Sequence, residues 1–260
     1  MELIKDQYFE GERPLYDRRD GLRLENVVIG PGESALKEGA EIEAVRCEFR
    51  GKYPFWECDG FTIRDCIFRE GARAALWYTR HCKMYDTLVE APKMFRRITD
   101  TYLENVQLPN ALETFWDCDG VVLRQVQAQK ADYIFMHTSN IDIDGFTLQG
   151  NYSFQYARNV VIRNAVLDTK DAFWESENVT VYDSRIEGEF LGWYAKNLRL
   201  VNATWAARSP SATVKTWSWK TAALNRTPSW PSSTAASRPP SRVAFPPSRI
   251  PAAGSSAPTK

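Results

Sequence analysis

The sequence predicts an all-β fold, a single-stranded right-handed parallel β-helix, from three observations. A short phrase of alternating apolar and polar residues restarts about every twenty residues from Leu22 onward. An Asp, Asn or Gly precedes most restarts, and a phenylalanine recurs at a fixed distance from them. A period near twenty with one strand signature per copy is the mark of a solenoid, where each repeat buries its apolar side against its neighbours. No stretch carries helical spacing of apolar residues.

Taken in order, residues 1–21 read as an N-terminal cap, with Tyr8-Phe9 and Leu15-Tyr16 set among charges to cover the first rung. The β-helix follows over residues 22–205, as about nine to ten coils of 18–22 residues beginning at 22, 42, 61, 83, 101, 121, 141, 160, 179 and 198. Each opens on apolar-x-apolar, as in Leu22-Arg-Leu, Phe61-Thr-Ile and Val160-Val-Ile, which is strand alternation. A second strand is expected near Cys66-Ile-Phe, Val106-Gln-Leu, Phe146-Thr-Leu and Val166-Leu. A third carries Phe55, Phe95, Phe115, Phe135, Phe154 and Phe173, whose rings would stack along the interior. The corner before the first strand holds Asp59-Gly60, Asp100, Asp119-Gly120, Asn140, Asn159, Asn178 and Asn197. These are residues that tolerate left-handed backbone.

Charge separates the ends of the chain. The 33 basic and 33 acidic residues balance overall, yet Arg208–Lys260 holds 8 basic residues and no acid, leaving the body at −8. An acidic body argues against a nucleic-acid scaffold. Residues 206–260 hold nine of the fourteen prolines and read as a disordered Ser/Pro/Ala/Arg-rich tail. Read one base earlier, the codons of Thr216-Trp-Ser-Trp-Lys-Thr spell a further first-strand phrase, placed nineteen residues after Leu198. A frame change near Ala206 is therefore expected, with an uncapped final rung as its consequence. No charged-then-apolar leader or membrane span opens the chain, so the cytoplasm is the expected compartment. Among the five cysteines, Cys47 and Cys66 share an offset and read as small buried hydrophobes. With two histidines, no C-x-x-C and no tight Asp cluster, no metal or other cofactor is expected. His137, beside Phe135 and Met136, reads as a structural histidine.

Several long, unusual words carry a resemblance. They are Gly11-Glu-Arg-Pro-Leu-Tyr, Gly32-Glu-Ser-Ala-Leu-Lys-Glu, Tyr53-Pro-Phe-Trp, Arg73-Ala-Ala-Leu-Trp-Tyr-Thr and Ala91-Pro-Lys-Met-Phe-Arg. Asn110-Ala-Leu-Glu-Thr-Phe-Trp, Gly150-Asn-Tyr-Ser-Phe, Lys170-Asp-Ala-Phe-Trp and Gly188-Glu-Phe-Leu-Gly-Trp complete the set. Over residues 6–205 the chain resembles domain-of-unknown-function family 3737, a bacterial family. The resemblance implies a pectate-lyase-like right-handed β-helix and no defined chemistry; the label hydrogenase, sometimes given to members, finds no support in the residues. After Trp205 the chain departs from the family's pattern.

Aligning coils on the phenylalanines, with Leu191 as the last member, gives a candidate site. Two residues earlier stand Lys93, Glu113, Tyr133, Tyr152, Asp171 and Glu189. One residue later stand Trp56, Trp116 and Trp174, with Trp77 and Trp193 close to that line and Arg73 on a neighbouring rung. Glu113, Asp171 and Glu189 are the candidate catalytic carboxylates. Asp171 and Glu189 are expected on adjacent rungs at a spacing suited to a retaining glycosidase. Arg73, Trp77, Lys93, Trp116, Tyr133, Trp174 and Trp193 are the candidate substrate-binding residues. The expected partner is carbohydrate, with a hydrolase or lyase reaction on an exposed groove. The alternatives are a noncatalytic glycan- or protein-binding solenoid and an inactive, frame-disrupted product.

Overall fold

The chain winds as a parallel β-helix because alternation at one offset of every repeat lets each first strand hydrogen-bond the next in step. In the computed structural model, residues 1–207 and the strand Lys215–Leu224 are described. Among these residues no helix is present, and the first strands make eleven coils. Leu22 pairs with Ile42, Ile42 with Phe61, Phe61 with Cys82, and the same file continues through Thr101, Val121, Ile141, Val160 and Val179 to Leu198. Parallel pairing sets successive coils about 4.8 Å apart.

The segment read as a cap is itself the first coil. Glu2–Lys5 pairs in parallel with Leu22–Glu25, and Tyr8–Glu12 with Val28–Glu33. Glu2 opens this strand where later coils place an apolar residue or, once, Thr101, which hides the copy from a pattern search.

Second strands stack as expected, with Ile67 on Leu88 and Val126 on Phe146. The third side differs from its expectation. It is strand only at Leu76–Trp77 and Phe95–Arg96 and is elsewhere built of turns. The reason is backbone sign. Left-handed residues recur there at every second position, as at Glu113, Phe115 and Asp117 (φ 49°, 58° and 54°) or Tyr152, Phe154 and Tyr156 (φ 58°, 61° and 57°), which breaks an extended run. Such residues cost roughly 1–2 kcal/mol each when they are not Gly. Coil-to-coil hydrogen bonds offset this, among them Glu113 N donating to Asp132 O at 3.0 Å and Tyr152 N to Lys170 O at 2.7 Å.

The corner before the first strand forms the expected ladder. Asn159 donates to Asn140 at 3.1 Å, Asn178 to Asn159 at 3.3 Å and Asn197 to Asn178 at 2.9 Å. A second ladder lies after the first strand, where Asn105 donates to Asp86 and Asn164 to Asp144, each at 2.7 Å.

From Phe95 onward the phenylalanines stack, whereas Leu76 separates Phe55 from them and Phe55 stacks on Phe61 at 5.1 Å. Ring centroids are 4.4 Å apart for Phe95–Phe115, 5.0 Å for Phe115–Phe135, 4.7 Å for Phe135–Phe154 and 5.1 Å for Phe154–Phe173, all fully buried. Burying each ring is worth about 1.5–3 kcal/mol. The cysteines are free and buried. They also take polar duties: Cys66 Sγ accepts from Cys47 N at 3.2 Å, as Thr87 Oγ1 accepts from Cys66 N at 3.3 Å one coil on.

The last parallel strand, Lys196–Ala207, is covered along its far edge by Lys215–Leu224, which runs antiparallel with Leu198 opposite Leu224 and Ala207 opposite Lys215. The expected bare final rung is thus paired. Thr216–Thr221, the segment read as a frame-shifted copy, runs opposite to the rungs. The remainder of the tail read over 206–260 lies outside the described residues.

Candidate functional site

The third side carries the candidate residues on two adjacent outward files, and coil register decides which of them meet. Trp77 pairs with Arg96, and Arg96 with Trp116. The Arg96 guanidinium therefore lies between two indoles, 4.6 Å from the Trp77 ring centre and 4.5 Å from that of Trp116. Its Nη2 stands 3.6 Å from Glu113 Oε2, and Lys93 Nζ reaches the same oxygen at 2.9 Å. Arg96 Nε is buried without a hydrogen-bond partner, a cost the two ring faces offset. Indole nitrogens tie the rings down: Trp77 Nε1 donates to Lys93 O at 2.7 Å, and Trp116 Nε1 to Tyr133 O at 2.6 Å. Arg73 is exposed and makes no side-chain hydrogen bond or ion pair among the described residues.

Farther along, Tyr133 stacks on Tyr152 at 5.0 Å, and Trp174 packs against Trp193 at 5.7 Å. Here the expected alignment slips by one residue. Ala172 pairs with Leu191, so Gly192 takes the phenylalanine position and Phe190, not Glu189, follows Asp171. Glu189 instead binds Lys170 at 2.9 Å. Asp171 is buried, and burial pushes its carboxyl above the ordinary range; the Lys170 charge opposes this and Glu189 adds to it weakly. Asp171 and Glu189 are thus one residue out of step on adjacent coils, with Glu189 paired to Lys170. Glu113, held by two cations, is likewise committed to ion pairs.

The faces of Trp77 are committed as well. Trp56 lies 5.4 Å from Trp77 on the coil before, and Arg96 covers Trp77 on the coil after. Stacking along the solenoid axis leaves indole edges outward, whereas sugars bind on open faces. Phenol rings extend the surface: Tyr78, Tyr133, Tyr156 and Tyr194 are each 38–58 % exposed.

Arg96 is the residue that sequence reasoning missed. It stands one position after Phe95, the offset that supplied Trp56, Trp116 and Trp174. Tyr78, Tyr156 and Tyr194 escaped because their file also holds Arg97, Asp117 and His137. His137, expected among apolar neighbours, is exposed, with Nδ1 3.5 Å from Asp117 and its ring against Tyr156. A shallow groove of about 310 Å³ on the first-strand side, bordered by His81, Lys83, Asp100, Tyr102 and Gly120, contains none of the candidate residues. No group of three or more metal-binding side chains occurs among the described residues.

Comparison with solved structures finds likenesses of low score. HetL, a pentapeptide repeat protein involved in heterocyst differentiation regulation from the cyanobacterium Nostoc sp. strain PCC 7120, is 14% identical, with 82% of this chain and 92% of that one covered and a TM-score of 0.27. QnrB1, a plasmid-mediated fluoroquinolone resistance protein, is 17% identical in its trypsin-treated form, with 76% and 82% covered and a TM-score of 0.21. At these scores neither protein's role transfers to this chain. No curated protein matches. The model of the family described as "Protein of unknown function (DUF3737)" matches residues 2–229, running past Trp205, where the resemblance was expected to end, and through the antiparallel strand. That match gives a frame change near Ala206 no support. A family match spanning residues 2–229, most of the sequence, shows that this chain belongs to family DUF3737.

Proposed function

We propose that this chain is a noncatalytic docking solenoid that binds a partner protein along its third side. The observation carrying this reading is the outward file of indole edges, phenols and Arg96 described above. Trp, Tyr and Arg are the residues that dominate protein–protein binding energy, because they offer large, rigid contact area with a polar handle. Register supports the noncatalytic part: Glu113 and Glu189 are each held by cations, and Glu189 is out of step with Asp171. The covered faces of Trp77 favour protein over glycan at that ring.

The test is photocrosslinking in the native host, with p-benzoylphenylalanine placed at Tyr133, Tyr156 or Tyr194, and at Lys83 on the first-strand side as control. Adducts of one discrete mass at the three tyrosine positions, absent at Lys83, support the reading. Equal or absent labelling at all four positions defeats it. So does saturable binding or turnover of an oligosaccharide that is lost in Glu113→Gln.

A further inference from the structure

Two of the five buried thiols occupy the same interior position on neighbouring coils. Cys47 and Cys66 lie nineteen residues apart, immediately before the paired residues Glu48 and Ile67. In-step parallel strands hold such residues about 4.8 Å apart at Cα, inside the 4.4–6.8 Å range that disulfides span. The Cys66 sulfur is already 3.2 Å from Cys47 N and 3.5 Å from Ala44 O, so it leans toward the earlier coil. The Cys47 sulfur lies 3.3 Å from Val45 O and 3.6 Å from Leu24 O. The two thiols already interact side chain to side chain across the coils. Cys58, Cys82 and Cys118 have no cysteine at the matching position of an adjacent coil: Cys82 stands between Phe61 and Thr101, and Cys118 N is answered by Thr138.

We propose that Cys47 and Cys66 are an oxidation site, closing an inter-coil disulfide when the folded protein meets hydrogen peroxide. The Cys47 sulfur attacks one peroxide oxygen and the O–O bond breaks. Water leaves with the thiol proton, and Cys47 becomes a sulfenic acid. The Cys66 sulfur then attacks the Cys47 sulfur, the S–O bond breaks, the S–S bond forms, and the second water leaves. Two thiols lose two electrons and two protons, and the peroxide gains them. The order of roles follows the local bonding: the Cys66 thiol holds Cys47 below the ordinary thiol range, while the bond to Cys47 and then burial push Cys66 up. Because the disulfide joins one coil to the next, oxidation links two rungs without involving the third-side surface.

The experiment treats the reduced full-length chain with hydrogen peroxide under native conditions. The reaction is stopped with catalase, and the chain is then denatured, alkylated and weighed. Three alkylated cysteines in place of five are expected, with tryptic peptides Cys47–Arg50 and Asp65–Arg69 joined. Cys66→Ser keeps a hydroxyl acceptor for Cys47 N, as Thr87 and Ser184 provide elsewhere, and is expected to leave a dimedone-trappable sulfenic acid at Cys47. Five alkylated cysteines after treatment, a Cys58–Cys82 link, or sulfinic and sulfonic acids spread over all five positions overturns the proposal.

Discussion

Replacing Phe115 by alanine removes the middle of the buried ring file. The ring is fully buried and stacked on both faces, at 4.4 Å and 2° on Phe95 and at 5.0 Å and 11° on Phe135. Large-to-small changes at fully buried aromatics cost about 3–5 kcal/mol. Each stacked pair adds about 0.5–1.5 kcal/mol beyond area, so Phe115→Ala belongs at the upper end. Phe115→Leu keeps most of the apolar volume and forfeits both stacks, which places it near 1–3 kcal/mol on the same per-pair value. The assay is equilibrium urea unfolding, followed by tryptophan fluorescence and far-ultraviolet circular dichroism, with agreement of the two probes required before ΔG is extracted. A Phe115/Phe135 double-mutant cycle isolates the pair and is expected to give a coupling of about 0.5–1.5 kcal/mol. An alanine cost below about 1.5 kcal/mol, less than burial of the ring alone carries, or a coupling of zero, would refute the stacked file.

The remaining predictions concern charge and corners. Asp171→Asn is expected to raise Tm at pH 7. The folded carboxyl sits above its ordinary 3.8, so its charge opposes folding above that raised value and stops doing so as pH falls below 3.8. An equal effect of Asp171→Asn at pH 7 and pH 3.5 contradicts the assignment. Glu48, bonded by Arg50 and Arg69 at 2.8 Å each, is held down to about 2, so its stabilising contribution is present above 4.5 and fades as pH approaches 2. Glu48→Gln should lower Tm at pH 7 and leave it unchanged near pH 2, as read by calorimetry. Asn178→Ala should cost about 1–2 kcal/mol from the left-handed corner (φ 57°), while Asn178→Gly recovers most of that loss by thermal melts. Arg96→Met keeps the apolar stem and forfeits two cation–π contacts, for a net loss of about 1–2 kcal/mol in urea titrations.

Legibility in the sequence followed the strength of each local signal. First strands were plain because Leu22, Phe61, Val160 and their equivalents alternate with polar residues and fall in one file. The Asn corner was equally plain, since Asn140, Asn159, Asn178 and Asn197 use both backbone tolerance and side-chain bonding. The first coil was masked by Glu2 in a position that elsewhere holds an apolar residue or Thr101. Left-handed Glu113, Tyr133 and Lys93 on the third side give no residue-type cue, because their conformation is imposed by hydrogen bonds from adjacent coils. The slip at Leu191 arose because Gly192, which has no ring to align, occupies the phenylalanine position. That slip separates Glu189 from Asp171, and with it a pairing of carboxylates that sequence alignment suggested.

In-step winding is what every file, ladder and surface described above requires. Pulsed electron paramagnetic resonance on spin labels at Tyr78 and Tyr156, and separately at Tyr78 and Tyr194, measures it directly. The first pair is four coils apart and the second six, so at about 4.8 Å per coil the Cα separations are about 19 Å and about 29 Å. Distances near these values, in a ratio of about 2:3, agree with the account; a second distance equal to the first, or one far beyond 29 Å, contradicts it.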